Sequence, residues 1–197
     1  MENEEMLQEM LNPVVTDYNS FGAAVWTFNK LAGNLQTHES AVTLVQALRN
    51  QALRVLEEAQ ETIDYCNHYL GDGTDPITLS TEECIVGILD GVIDTNVTSF
   101  GLLQIAGPYM NTAKAATIIC QNNLTKFHTT ERAAEDTVTS YGFDSANDRY
   151  ITYLESVSIE GLPPVYVVKR YTDNKVMKPA GYVSVDLSEC IVGLGGV

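Results

Sequence analysis

Positive charge is what this 197-residue chain has least of. Eleven lysines and arginines stand against 26 aspartates and glutamates, a net charge of −15. That deficit excludes the clustered cations by which proteins hold nucleic acid or an anionic membrane surface. Cysteine is equally sparse. Cys66, Cys84, Cys120 and Cys190 show no CxxC spacing, so a zinc site is not expected. Set among apolar neighbours, as in ECIVG (83–87 and again 189–193), they read as small buried hydrophobes of a reduced, cytoplasmic protein. No apolar run reaches eighteen residues, so no transmembrane helix is expected. The acidic, amphipathic start MENEEMLQEML is the opposite of a signal peptide's basic and then apolar plan. What remains is an apolar content of 45%, ordinary for a globular chain and sufficient for one domain over 1–197.

Through about residue 140 the apolar periodicity is helical. Residues 16–33 form one helix, ended by Gly33. Residues 40–70 form a long one, with Leu44, Leu48, Leu53, Leu56 and Ile63 as most of its apolar stripe, and GDGTDP (71–76) stops it. Ser80 with Glu83 is a capping box that starts the next helix, which runs through Leu103 to the GP at 107–108. Further helices are expected over 111–127 and in TTERAAEDTVTSY. The region 142–197 is irregular, with β-branched and aromatic runs around the turn TDNK that predict a small hairpin. The fold class is therefore all-α, an antiparallel helix bundle with a small C-terminal β-hairpin-like appendage.

Two stretches break this pattern with carboxylates. RVLEEAQETIDY (54–65) carries Glu57, Glu58, Glu61 and Asp64 at helical spacings of three and four. Like charges so placed repel. ILDGVIDT (88–95) sets Asp90 and Asp94 among Ile85, Val86, Ile88, Leu89, Val92 and Ile93, although aspartate is a poor helix-interior residue. A short connection makes the two long helices antiparallel neighbours. Glu61 is about ten residues before the connection and Asp90 about eleven after it, so the two lie at similar heights, as do Glu57 or Glu58 and Asp94. Carboxylates converging in that number suit a hard cation, Mg²⁺ or Mn²⁺. A solvated acidic face is the plainer explanation for any one cluster, and the second acidic pair on the facing helix weakens it. Further on, CQNNLTKFHTTER supplies Asn122, Asn123, Thr125 and Lys126, residue types that bind phosphate. Lys175 and Lys178 of KVMKPAGY form a second anion-binding candidate.

In this order the motifs resemble the all-α NTP pyrophosphohydrolases, the MazG-like and phosphoribosyl-ATP pyrophosphohydrolase-like superfamily, and its phage-type branch in particular. EEAQE (57–61) is similar to that family's EExxE metal motif, LDGVIDT to its paired-acid motif, NNLTK to its S-N-M-S-K segment, and NKVMKPAGYVSVDL to the GKVxKPxxYxxPDL ending. VWTFNKLAGN resembles the opening helix. The chain departs from the ExxD form of the second motif: Gly91 stands three before Asp94, and the acid, Asp90, stands four before it. Residues 142–163 resemble an insertion without an assigned role.

The resemblance implies Mg²⁺-dependent hydrolysis of a nucleoside triphosphate, ribo or deoxy, at the α–β bond, giving a monophosphate and pyrophosphate. Mn²⁺ is a possible substitute. It implies Glu58, Glu61, Asp90 and Asp94 as metal ligands and Glu57 as the general base. Asn123 and Lys126 would bind phosphate, with Lys178 and Tyr182 closing over it, and Trp26 and Asn29 would help to build the base pocket. It also implies a homodimer or homotetramer, in the cytoplasm of a host cell if the chain is phage-encoded. The alternatives are a phosphoribosyl-ATP pyrophosphohydrolase and a non-enzymatic acidic helical binding or assembly protein.

Overall fold

The computed structural model describes residues 13–72, 79–142, 151–161 and 163–193. Five helices and a three-stranded antiparallel sheet are found among them. The chain divides into two compact units, residues 1–112 with 191–197, and residues 113–190. The acidic N-terminal segment and most of the GDGTDP stop lie outside the described residues.

The first unit holds α1 (Tyr18–Leu31), α2 (Ala41–Leu70) and α3 (Thr81–Ala106). Local chemistry sets each start. Asp17 accepts from the backbone N–H of Ser20, whose hydroxyl closes a capping box. Ser40 caps α2 through the N–H of Thr43. Ser80 and Glu83 form the capping box expected for α3. Gly71 ends α2 in the left-handed conformation at φ 77°, which glycine adopts without steric cost.

The contact between α2 and α3 runs through small and polar groups. A Cβ added at Gly87 would lie 2.4 Å from the Tyr65 ring, and one at Gly91 would lie 2.5 Å from the Thr62 hydroxyl. At Gly101 it would meet the Gln51 amide at 2.6 Å. The pairs 65/87, 62/91 and 51/101 run in opposite directions, so the helices are antiparallel at the height expected from their connection.

This seam corrects the expected apolar stripe. Leu44 is buried with Ile105 and Tyr109, and Leu48 packs against them. Leu53, Leu56 and Ile63, however, face solvent, as do Ile85, Val86, Leu89, Val92 and Ile93 of α3. Apolar periodicity finds the oily face of a helix but not which face its neighbour occupies, and the glycines of α3 draw α2 onto another one. By length and composition alone α3 is also long and apolar enough to cross a membrane. No unbroken apolar run marks this helix in the sequence, because acids interrupt it.

The second unit holds α4 (Thr112–Leu124, whose first residue belongs to the first unit), β1 (Phe127–His128), α5 (Glu131–Tyr141), β2 (Thr152–Val157) and β3 (Val165–Arg170). The helix expected to reach 127 ends at Leu124. Thr125 and Lys126 form a turn on the carbonyls of Asn122 and Asn123, and Phe127 pairs with Val167. The appendage is a sheet of order β1-β3-β2 rather than a lone hairpin. Its strand β2, with Thr152 opposite Arg170 and Val157 opposite Val165, comes from the segment that had no assigned role. The TDNK turn survives as a single bridge between Lys169 and Val176, with Asn174 at φ 57°. Ala134, Val168 and Met177 form the buried core, covered by Val138, Tyr141, Leu154 and Tyr166. Ile191 returns to the first unit and bridges to Met110. Cys84 and Cys190, one in each ECIVG, are buried free thiols, whereas Cys120 is exposed.

Candidate functional site

α2 brings Glu57, Glu58 and Glu61 to one side of the helix pair, and α3 brings Asp90 and Asp94 to the same height. Glu58 and Asp94 are half-buried, whereas Glu57, Glu61 and Asp90 are exposed. The charges gather around Glu58. Burial pushes its carboxyl above the ordinary 4.5, and the negative charges of Asp94, Glu61, Glu57 and Asp90 push it further. Asp64 is not among the charges that act on Glu58, and its carboxylate accepts from the Gln60 amide at 2.8 Å.

The second acidic motif takes its unusual form from packing. Gly91 is buried where α3 approaches the backbone of Thr62, whose Cα would lie 3.3 Å from an added Cβ. An acid at position 91 has no room there, and Asp90 carries the charge on the exposed flank beside it.

The ligand chemistry of this group suits a hard divalent cation: five carboxylates, no sulfur and no imidazole. Among the described residues, no three His, Cys, Asp or Glu side chains are close enough to enclose an ion.

The other expected site residues lie in two places. Asn123, Lys126, Lys178 and Tyr182 all belong to the second unit, where they form two separate pairs. Lys126 Nζ donates to Asn123 Oδ1 at 2.8 Å. Lys178 Nζ sits 4.5 Å from the centre of the Tyr182 ring, a cation–π contact, and the Asn122 amide donates to the Tyr182 hydroxyl at 2.5 Å. Trp26 and Asn29 lie on α1. Trp26 is 49% exposed. Asn29 is buried and fully engaged, donating to Gln104 Oε1 and accepting from the Asn34 amide, each at 3.0 Å. It orients its neighbours and lines neither of the two cavities described next.

Two cavities of the first unit were not anticipated. One, of about 410 Å³, is a mainly apolar groove lined by Val15, Tyr18, Phe21, Val92, Ile93 and Asn96. The other, of about 180 Å³, is polar and includes Asn34, His38, Asn50, Gln51 and Arg54 in its lining. A signal for the second was present in the sequence: residues 1–112 contain only Lys30, Arg49 and Arg54 as lysine or arginine, and Arg54 precedes the first glutamate by one helical turn. Comparison of the chain with protein families, with characterised proteins and with solved structures finds no match to any of them.

Proposed function

We propose that the chain is a Mg²⁺-dependent nucleoside triphosphate pyrophosphohydrolase that cleaves the α–β phosphate bond, releasing a monophosphate and pyrophosphate. The observation that carries this reading is the gathering of four carboxylates, from both helices, around the half-buried Glu58. Glu58, Glu61, Asp90 and Asp94 are the proposed ligands. Bound Mg²⁺, or Mn²⁺ in its place, would neutralise the triphosphate and make a bound water more acidic. Glu57, exposed at the edge of the group, is the proposed general base that orients the attacking water. Asn123 and Lys126, and Lys178 with Tyr182, are the proposed phosphate-binding groups of the second unit.

The solvent-facing aliphatics of α2 and α3 belong to the same proposal. Large contiguous apolar patches are rare on monomeric soluble proteins, and Leu56, Val86 and Leu89 on these two helices are all largely exposed. A second copy, laying its own helix pair against the first, would complete an antiparallel four-helix bundle. A lipid bilayer fits less well. Asp90 and Asp94 fall in the middle of α3, where each would cost about 2.5–3.5 kcal/mol at the bilayer centre. The proposed assembly is therefore a homodimer or a pair of such dimers, working in the cytoplasm.

A panel of NTPs and dNTPs with Mg²⁺ or Mn²⁺, and phosphoribosyl-ATP beside them, tests the activity. The expected products are a monophosphate and pyrophosphate, and in ¹⁸O-water the label enters the monophosphate. Label in free orthophosphate would overturn α–β cleavage, and turnover of phosphoribosyl-ATP alone would reassign the substrate. The rival reading, a non-enzymatic acidic assembly protein, is favoured by the absence of an ion-sized carboxylate group among the described residues. It requires that no substrate turns over and that Mg²⁺ leaves the melting temperature unchanged.

A further inference from the structure

His128 is the second residue of β1, the shortest strand of the sheet and one of its two edges. Two residue pairs hold β1 to β3, Phe127 with Val167 and His128 with Tyr166, whereas six hold β2 to β3. Facing residues of an antiparallel pair, and residues two apart on a strand, project to the same side of a sheet. His128 therefore shares a side with Tyr166, Val168 and Leu154. That side carries the buried core of the second unit, closed by Ala134 of α5 and by Met177. The His128 ring is half-buried, and its Nε2 is shut off from solvent without a hydrogen-bond partner among the described residues.

A nitrogen so placed fits one protonation state. Neutral imidazole has one N–H and one bare nitrogen, so with the proton on Nδ1 the buried Nε2 is a bare acceptor. The imidazolium carries a hydrogen on both nitrogens, which would leave an unmet donor and part of a full charge in an apolar wall. Burial accordingly holds the ring below its ordinary 6.5. No neighbouring charge offsets that burial. The phenols of Tyr166 and Tyr141 on this side are neutral through the acid range, and Arg170 is engaged with Asp173. Glu131, Arg132, Glu135 and Asp136 of α5 are exposed. Lys169 and Glu155 pair with each other on the opposite side of the sheet. Lys126 donates to Asn123, and Lys178 lies over Tyr182.

We infer that β1 is a pH-operated latch: the neutral His128 ring keeps the strand zipped onto β3, and acid releases it together with the turn at 122–126 that leads into it. A proton on Nε2 is accommodated by turning the ring out to water, and the pairing that must yield is the shortest in the sheet. Two residue pairs at an edge open locally, while the longer β2–β3 ladder stays closed. The turn carries Asn123 and Lys126, so its release unmoors two of the groups proposed for phosphate. The open form has the ordinary affinity for a proton and takes one up first as pH falls below 6.5. The closed form therefore keeps its full stability above that value and loses it towards acid. One unit below it, opening is favoured roughly tenfold more than at neutrality.

Histidine-ring NMR and amide exchange on the full chain test the latch without any substrate, so it stands or falls apart from the proposed hydrolysis. In wild type the His128 ring is expected to titrate below 6.5. Protection of the amides in the β1–β3 pairing, corrected for intrinsic exchange, should fall roughly tenfold between about pH 7.5 and about pH 5.5. Protection of the β2–β3 ladder should hold over the same range. In His128→Phe, which keeps an aromatic ring and cannot take up a proton, the β1–β3 protection should be the same at both ends. Titration at or above 6.5, an equal loss of protection at β1 and β2, or the same acid response in His128→Phe would overturn the latch. His128→Leu replaces the phenylalanine variant if that one does not fold, and the wild-type titration needs neither.

Discussion

The two units of this chain solve the burial problem in opposite ways. In the second, Val168 and Ala134 are fully buried and Met177 nearly so, and the charged side chains stay outside, as in the Lys169–Glu155 contact at 2.5 Å. In the first, α2 and α3 meet through glycine, threonine, tyrosine and glutamine, while Leu56 and Leu89 remain 63% and 62% exposed. A sheet backed by one helix closes its own core. A pair of helices joined at a glycine seam does not, because it places its polar edge inward and its aliphatic edge outward. The second unit buries its apolar side chains within itself, and the first carries its acids around Glu58 and leaves aliphatic side chains of α2 and α3 exposed.

The largest expected effect breaks the comparison at the chemistry. Glu61→Gln and Asp94→Asn each remove a proposed ligand, and loss of several kcal/mol of charge stabilisation corresponds to a fall in kcat of about a thousandfold or more. Both should also blunt the rise in melting temperature that millimolar Mg²⁺ gives wild type by linkage. In the second unit Lys126→Ala removes one charged hydrogen bond worth about 1.5–3 kcal/mol, a loss of roughly ten- to a few hundredfold in kcat/KM. Unchanged turnover in both acid variants would end the metal assignment, whatever Lys126→Ala does.

Local chemistry carries most of what the sequence made legible. Ser80, Glu83 and Gly71 write their caps and stop into the chain, so the long helices fall within a few residues of expectation. Counting residues outward from the connection sets Glu61 at the height of Asp90 and Glu57 or Glu58 at that of Asp94, and the charges of all four neighbours bear on Glu58. What was illegible depends on partners distant in sequence. Leu53, Leu56 and Ile63 read as core because nothing local says that Gly87 and Gly91 will draw Tyr65 and Thr62 inward instead. Strand β2 finds its place only through β3. Nothing local to Trp26 and Asn29 says that one stays half exposed while the other is buried against Gln104 and Asn34.

A smaller effect sharpens the contrast in burial. Val168→Ala should lower stability by about 1.5 kcal/mol or more, two methylene-sized groups at about 0.8 kcal/mol each plus a cavity term, at every protein concentration. Leu89→Glu should instead act through assembly. At micromolar concentration wild type is expected to sediment as a dimer and the variant as a monomer whose melting temperature does not depend on dilution. A wild type that is monomeric at that concentration, with activity retained, would leave the apolar face without its proposed occupant.

The smallest effect is a pH dependence confined to the helix pair. Glu58 has its proton affinity raised by burial and by its four acidic neighbours, so the folded chain holds a proton there that the unfolded chain releases. A carboxyl raised in this way destabilises the fold once it is ionised. Below the unfolded value of 4.5 both states are protonated and there is no penalty. As pH rises past that value towards the folded one, the unfolded state gives up its proton first and stability falls. Asp173 of the second unit has the opposite sign. The guanidinium of Arg170 holds it at about 2 against an ordinary 3.8, so its contribution is present above 3.8 and is lost as pH falls towards 2. Denaturant unfolding of wild type and Glu58→Gln from pH 4 to 7 isolates the first effect. Wild type should lose stability relative to the variant as pH rises, and saturating Mg²⁺ should abolish the difference in slope, because a bound cation restores the preference for the ionised carboxylate. Parallel slopes without metal would mean that the five acids are a solvated face and not a coupled group.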